Sequence, residues 1–319
     1  MKREKQLIVV RGGGDIATGT IYRLCRCGYP VLVLETEHPS AIRRHVAFSE
    51  AVYDGQAEVE GMTCRLAENF GEACRILEQG EPAMLIDPRC RILEKIRPWA
   101  LVDGILAKRN LGTSRAMADK TIALGPGFEA GKDVDLVIET MRGHNLGRVI
   151  ERGCAMPNTG VPGIIQGYGK ERVIHSPGEG IVHPLVQIGD MVEAGQVIAQ
   201  IVPGPSPAEA RDGDSGALSG QREFGDPFGP RDFTGLSGRK ADVIPVKTQI
   251  SGIVRGMIRE GYPVWEGFKM ADVDPRTSEY DNCFTISDKA RCIAGGVLEG
   301  LLYLEKREEA ALAGRKGGI

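Results

Sequence analysis

The sequence predicts an α/β protein: a doubly wound, mostly parallel sheet, then a β-rich domain, then a C-terminal helix. Three observations predict it. Short β-branched apolar runs alternate with helically spaced segments from Leu7 to Thr140. Further on, a glycine spacing recurs at an offset of 72 residues, with Gly180, Gly189 and Gly195 matched by Gly252, Gly261 and Gly267. Apolar residues at 290, 293, 297, 298, 301, 302 and 304 then mark the face of a last helix.

The first element organises the rest. Leu7-Ile8-Val9-Val10 reads as a buried parallel strand, and Arg11-Gly12-Gly13-Gly14-Asp15-Ile16-Ala17 follows at once. Thr18 to Gly28 reads as a helix ended by glycine, and Val31 to Leu34 as a second buried strand closed by Glu35. Gly12, Gly14 and Ala17 fit the G-x-G-x-x-G/A spacing of a Rossmann-like fold. There the first glycine makes the turn, the second admits a pyrophosphate, and the small third residue packs helix on strand. Glu35, 23 residues after Gly12, stands where a carboxylate would take ribose hydroxyls.

Later elements follow the same alternation. Val46–Tyr53 and Ala57–Arg65 read as short strands, Asn69–Gln79 as a helix and Ala83–Ile86 as a strand ending in Asp87-Pro88. Ile92–Ile96 is helical, and Ala100–Leu106 is a strand running out into Lys108-Arg109-Asn110. Thr121–Leu124 ends in Gly125-Pro126-Gly127, and Val134–Ile138 ends in Glu139-Thr140. The domains expected are 1–168, 169–285 with a disordered insertion at 203–240, and a helix with a frayed tail at 286–319.

Composition narrows the function classes. The chain has 319 residues, 42% of them apolar, and a formal net charge of −3, which gives no electrostatic case for nucleic acid or an anionic membrane. No apolar run reaches the length of a membrane span and no signal-peptide core follows Met1, so a cytoplasmic location is expected. The eight cysteines include no C-x-x-C pair, so neither a structural metal nor a disulfide framework is expected.

Ligands of doubly wound sheets lie beyond the carboxyl ends of the strands. Residues placed there are Gly12, Gly13, Gly14, Asp15, Ala17, Glu35, Arg109, Asn110, Gly125 and Gly127 as candidate cofactor-binding groups. Cations among glycine loops suit a small phosphate-bearing ligand, a dinucleotide among them. Lys108, Arg142, His144, Asn158, Thr159 and Cys154 are the candidate catalytic groups. His144 would be held neutral if buried beside Arg142. Cys154, between Arg152 and the Pro157–Gly160 loop, is the first candidate for a thiolate activated by cations, and Cys90, between Arg89 and Arg91, the second.

The repeat covers apolar positions as well, with Val182, Val186 and Val192 matched by Val254, Ile258 and Val264. Two halves that cannot cover their own apolar faces must interlock, as in the barrel-sandwich hybrid of biotinyl and lipoyl domains, which this segment resembles. Lys240 stands near where such domains carry an attachment lysine, although no methionine flanks it. Asp272 and Asp274, beside Arg276, read as the fixing of a turn in preference to a cation site.

Several long segments resemble the accessory proteins of selenium-dependent molybdenum hydroxylases, the YqeB-type family. They are Arg11–Gly19, Val102–Asn110, Leu124–Phe128, Glu139–Arg148, Pro157–Gly160, Asp272–Arg276 and Ile286–Lys289. The N-terminal part is also similar to the Rossmann half of xanthine dehydrogenase accessory proteins. The resemblance implies a maturation role with an apo molybdenum hydroxylase as partner and a nucleotide-bearing molybdopterin as the ligand, and it assigns no catalytic residues. An NAD(P)-dependent oxidoreductase and a non-enzymatic carrier or scaffold are the alternatives.

Overall fold

Strand β1 (Ile8–Arg11) is buried along its whole length and has a parallel neighbour on each side. In the computed structural model, which describes residues 6–160, 163–203 and 243–316, the chain divides into two units, 1–163 with 280–319 and 164–279. The first is mixed α/β with one large sheet. From β1 the chain enters helix α1 (Asp15–Arg26), β2 (Val31–Glu35), the single turn α2 (Ala51–Asp54) and the hairpin β3 (Gln56–Val59)–β4 (Met62–Leu66). Helix α3 (Phe70–Glu78), β5 (Ala83–Ile86), β6 (Ala100–Asp103) and β7 (Lys120–Leu124) follow. Then come β8 (Glu129–Ala130), β9 (Leu136–Ile138), β10 (Val149–Ile150) and β11 (Gly153–Cys154), with the last helix, α4 (Asp288–Lys316), closing the unit.

The nine-stranded sheet has the order β10-β9-β7-β6-β1-β2-β5-β4-β3. From β9 to β4 every pair is parallel, and antiparallel pairs stand at both edges. After β1 the chain builds outward through β2, then returns to the other side of β1 as β6. The order therefore reverses between β1 and β6, where ligands of such sheets lie.

Alternation along β1 explains why both faces are covered. Ile8 and Val10 pack on one side with Ile21 and Leu24 of α1 and Ile293 and Val297 of α4; Val9 packs on the other with Ala73 and Ile76 of α3. Each fully buried side chain of this size contributes about 1.5–3 kcal/mol. Helices α1 and α4 approach closely because Gly19 meets Ala290, and a Cβ on Gly19 would sit 2.8 Å from the alanine Cβ. Ser287 caps α4, its Oγ accepting the Ala290 N–H at 3.2 Å. The helix runs to Lys316.

Val46–Tyr53 is not the strand that its β-branched residues suggest. It forms 3-10 turns at Arg44–Val46 and Phe48–Glu50 and then α2, ended by left-handed Gly55. Its backbone finds partners outside a ladder: Phe48 N–H donates to Thr18 Oγ1 at 2.9 Å and Ser49 N–H to the Gly13 carbonyl at 2.8 Å. Those bonds let Val46, Ala47, Phe48 and Ala51 be buried without a neighbouring strand.

The second unit holds β12 (Val173–His175), β13 (Gly180–Pro184), β14 (Met191–Val192), β15 (Val197–Val202), β16 (Ile244–Lys247), β17 (Gly252–Met257), β18 (Pro263–Val264) and β19 (Lys269–Asp274). They form two four-stranded antiparallel sheets, β12-β19-β17-β14 and β16-β15-β13-β18. Strands β13, β14 and β15 recur 72 residues later as β17, β18 and β19. Each half lends its short strand to the other, β14 pairing with β17 and β18 with β13. The recurrent glycines have one cause: a Cβ on Gly180 would strike the Val202 carbonyl oxygen, and one on Gly252 the equivalent oxygen of Asp274. Asp274 is held by Arg276 and Arg255, and Asp272 by Arg172 at 3.5 Å, so both carboxylates are spent on guanidinium groups. Beyond Pro203, the expected insertion, with Lys240, lies outside the described residues.

Candidate functional site

Three glycine-bearing loops meet at the carboxyl ends of β1, β6 and β7. Leaving β1, Gly12 turns with φ +88° and its N–H donates to the Leu34 carbonyl at 2.8 Å. Gly13 donates its N–H to Glu35 at 2.7 Å, and the second Glu35 oxygen accepts Thr36 N–H at 2.8 Å. Burial pushes the Glu35 carboxyl above the usual range, against the pull of those two bonds. Glu35 therefore ties the loop to β2 at the position expected for ribose recognition. Gly14 differs from its neighbours: a Cβ there would meet nothing within 4 Å. Helix α1, which begins at the next residue, has no side-chain cap, so its first N–H groups open onto that space. Ala17, fully buried, packs beneath against Gly104 at the end of β6.

The loop after β6 is pinned from two sides. A Cβ on Gly12 would lie 3.2 Å from Ile105 Cα, and one on Gly127 would lie 2.5 Å from Arg109 Cα. Between these contacts Leu106 and Lys108 take left-handed backbone, φ +59° and +62°, strain of about 1–3 kcal/mol each that the surroundings must hold in place. Lys108 and Arg109 are exposed, and the Lys108 ammonium has no hydrogen-bond or ion-pair partner among the described residues. Asn110 is committed to its own turn, accepting N–H groups of Gly112 and Thr113 and donating to the Thr113 carbonyl at 2.8 Å. Gly125 packs against Thr140 at the end of β9.

Arg11 is not available to a ligand. It is buried and bonded to Thr113 Oγ1, Asp103 at 3.4 Å, and the carbonyls of Pro88 and Leu111 at 3.3 Å. Thr113 Oγ1 in turn donates to Asp103 at 2.6 Å. This network fixes the root of the 104–113 loop.

A second group of charges gathers at the start of α4. Arg142 grips Asp288 through two bonds of 2.7 and 3.0 Å, and Arg43 bridges Asp15 at 3.5 Å while donating to the carbonyls of Asn282 and Thr285. Buried Glu139 accepts the N–H groups of Met141 and Met156 at 2.8 Å. Half-buried Lys289 stands within electrostatic reach of Arg142, Asp15, Glu139 and Asp288, and burial followed by the Arg142 charge holds its ammonium below the usual lysine range. In the sequence Lys289 stands out only as the end of the family-like segment Ile286–Lys289; nothing local signals the neighbours that α1 and the loop after β9 bring to it.

The remaining candidates are scattered. His144 is exposed, so the burial beside Arg142 that the sequence reading required is absent. Its loop rests on α4 through Leu146, whose carbonyl accepts from Cys292 Sγ at 3.1 Å. Asn158 and Thr159 are exposed in a segment that returns toward Arg142, where a Cβ on Gly163 would come within 3.7 Å of Arg142 Cδ. Cys154 is exposed on β11 in register with Glu129, and Lys132 is within its electrostatic reach. Cys90 is buried, and burial raises its thiol despite the charge of Arg11, which removes it as an activated thiolate.

A cavity of about 650 Å³ opens beside this cluster, beyond β2 and β5. Phe70, Leu85, Ile86 and Ile92 give it an apolar lining, with Arg89, Arg91 and Lys95 among its polar residues. The strand pattern located Asp87 at this end of the sheet but could not show that α3 and the 88–95 segment enclose a space.

The fold and these loops define a mixed α/β protein whose candidate ligand site lies at the carboxyl ends of a largely parallel sheet. No family model matches the chain. It is 45% identical over 300 residues to the uncharacterized protein YqeB of Escherichia coli (strain K12), an alignment covering 94% of this chain and 48% of that protein. The chain thus spans about half the length of this curated relative, and the likeness supports the YqeB-type label that the motifs carry. Among solved structures, the ectoine utilization protein EutE (DoeB) from Ruegeria pomeroyi is 12% identical, with a TM-score of 0.20 over 83% of this chain and 56% of that one. An aspartoacylase family protein from Mesorhizobium loti is 13% identical, with a TM-score of 0.26 over 84% of each. Likenesses at this level leave the fold to be read from the strand order itself.

Proposed function

We propose that the first unit is a Rossmann-like binder of a nucleotide- or pterin-phosphate cofactor, and that the protein is an accessory factor in the maturation of selenium-dependent molybdenum hydroxylases. The observation that carries the reading is the contact of the Gly12–Gly14, 104–110 and Gly125–Gly127 loops, with Lys108 at their junction unpaired among the described residues. A diphosphate seated over Gly14 would meet the open first turn of α1 and take charge-assisted bonds from Lys108. Ala17 and Gly104 let α1 sit close enough to β6 for that turn to face the loops. On this reading Arg142, Asp288 and Lys289 form the far wall, where a half-buried ammonium can hold or release a proton. The second unit is read as barrel-sandwich-hybrid-like, on the strength of its exchanged short strands.

The motifs shared with the YqeB-type family support the maturation role, and an apo molybdenum hydroxylase is the partner it implies. The NAD(P)-dependent oxidoreductase reading uses the same loops, so one experiment separates the two. Calorimetric titration with NAD(H), NADP(H) and molybdopterin cytosine dinucleotide should give a micromolar Kd for the pterin dinucleotide. Tighter binding of a nicotinamide cofactor would favour the oxidoreductase, and no binding below millimolar would reject both.

A further inference from the structure

Beyond the glycine loops, the cavity at the ends of β2 and β5 has its own chemistry. The register runs straight toward it: Gly13 is bonded to Glu35, and Glu35 pairs with Ile86 across β2 and β5. Two strand spacings of about 4.8 Å separate the loop from the cavity floor, roughly the reach of a nucleoside. Ile86 is 41% exposed where the strand ends, leaving an apolar side chain uncovered inside the space. Asp87 spends both carboxylate oxygens on the N–H groups of Arg91 and Ile92, each at 2.9 Å. That holds the turn carrying Arg89, Arg91 and Lys95 in place.

These three cations have no side-chain partner among the described residues; the other charged side chains of the lining are Glu37, Glu94 and Asp87, the last already committed to the two N–H groups. Glu35, the group expected to read ribose hydroxyls, is occupied by two backbone N–H groups. We propose that this cavity is a subsite for the base-bearing half of a nucleotide whose ribose carries a phosphomonoester, with Phe70, Ile86 and Ile92 against the base and Arg89, Arg91 and Lys95 around the phosphate. A dianionic phosphate meets the forked guanidinium groups in a way that a hydroxyl does not. The inference rests on the phosphate-cofactor reading above and adds a second recognition feature to it, one that molybdopterin cytosine dinucleotide, which has no ribose phosphomonoester, would leave unfilled.

Titration of the intact chain with NAD+, NADP+, 2′,5′-ADP, 3′,5′-ADP, 5′-AMP and inorganic phosphate tests it. We expect NADP+ to bind at least tenfold more tightly than NAD+, and one of the two ADP isomers to bind at least tenfold more tightly than 5′-AMP. An Arg89→Ala/Arg91→Ala variant, altered at two exposed side chains, should erase these ratios while leaving its melting temperature and its NAD+ affinity unchanged. Lys108→Ala should weaken NAD+ and NADP+ by the same factor. Ratios near one in the unaltered protein, ratios that survive in the double variant, or binding of inorganic phosphate as tight as that of the nucleotides would overturn the inference and leave the glycine-loop reading standing. An ADP isomer bound through Arg89 and Arg91, with no binding of either dinucleotide, would keep the subsite and reject the diphosphate at Gly14. Binding of no probe would reject both.

Discussion

Gly127→Ala should damage the protein far more than Gly14→Ala, although both glycines belong to the same loop cluster. At Gly127 the backbone has φ +107°, and an added Cβ would lie 2.5 Å from Arg109 Cα, 2.6 Å from Arg109 N and 2.8 Å from the Lys108 carbonyl carbon. All three are backbone atoms, so no side chain can rotate away and the 104–110 loop itself must move. Left-handed strain contributes about 1–3 kcal/mol and overpacking a similar amount, together about 2–6 kcal/mol. At about 2–4 °C per kcal/mol for a unit of this size, the melting temperature should fall by roughly 5–20 °C. Gly14 has φ −63° and ψ 175°, with nothing within 4 Å of its Cβ position. Alanine there should leave stability unchanged or raise it by about 0.4–1 kcal/mol through the unfolded state. Thermal and urea denaturation of both variants is the assay. Equal stabilities for the two would refute the claim that the loops after β6 and β7 press on each other through their backbones.

Three further outcomes follow from buried charge and thiol burial. Arg11→Met strips the guanidinium from an Asp103 carboxylate that is 2% exposed, and urea denaturation should show a loss of about 3–5 kcal/mol; a loss below about 1 kcal/mol would mean the network does not hold the loop. In the second unit, burial alone would raise the Asp274 carboxyl, but bonds from Arg276, then its charge and that of Arg255, hold it below the usual range. The stability it contributes is complete above the ordinary aspartate range and disappears as pH falls through the lowered value. Asp274→Asn should therefore flatten the acid limb of stability against pH by at most about 1.4 kcal/mol per pH unit, and identical limbs would contradict the pairing. Burial pushes the Cys25 thiol up to about 12 and raises Cys64 and Cys90, whereas Cys154 and Cys292 are exposed. Iodoacetamide at pH 7.5, followed by peptide mass mapping, should label the exposed pair at least tenfold faster, and rapid labelling of Cys90 would reverse our correction.

Much of the sheet is legible because its strands are buried on both faces, which leaves continuous β-branched runs such as Ile8–Val10 and Val31–Leu34. The 72-residue repeat is legible for another reason: glycines 180 and 252 are each forced by a carbonyl oxygen at the same place in its half. Val46–Tyr53 misleads because its hydrogen-bond partners, Gly13 and Thr18, lie far back in sequence and leave no local sign. Arg11 precedes the glycine loop directly, and nothing near it in sequence shows that Asp103, 92 residues on, claims its guanidinium. Asn110 is likewise a plausible ligand group whose side chain turns out to bind its own loop. The cavity and the surroundings of Lys289 are products of tertiary packing, assembled from α3 with the 85–95 segment and from α1, α4 and the loop after β9. No spacing rule points to either.

The central claim is that the 12–14 and 104–110 loops hold a phosphate-bearing cofactor with Lys108 as its cation. Calorimetric titration of molybdopterin cytosine dinucleotide into the unaltered chain and into Lys108→Ala tests it most directly. The account predicts a micromolar Kd that weakens by about ten- to a hundredfold in the variant, the loss of one charged hydrogen bond of roughly 1.5–3 kcal/mol, with an unchanged melting temperature. Binding that is absent below millimolar, or equally tight without Lys108, would contradict it.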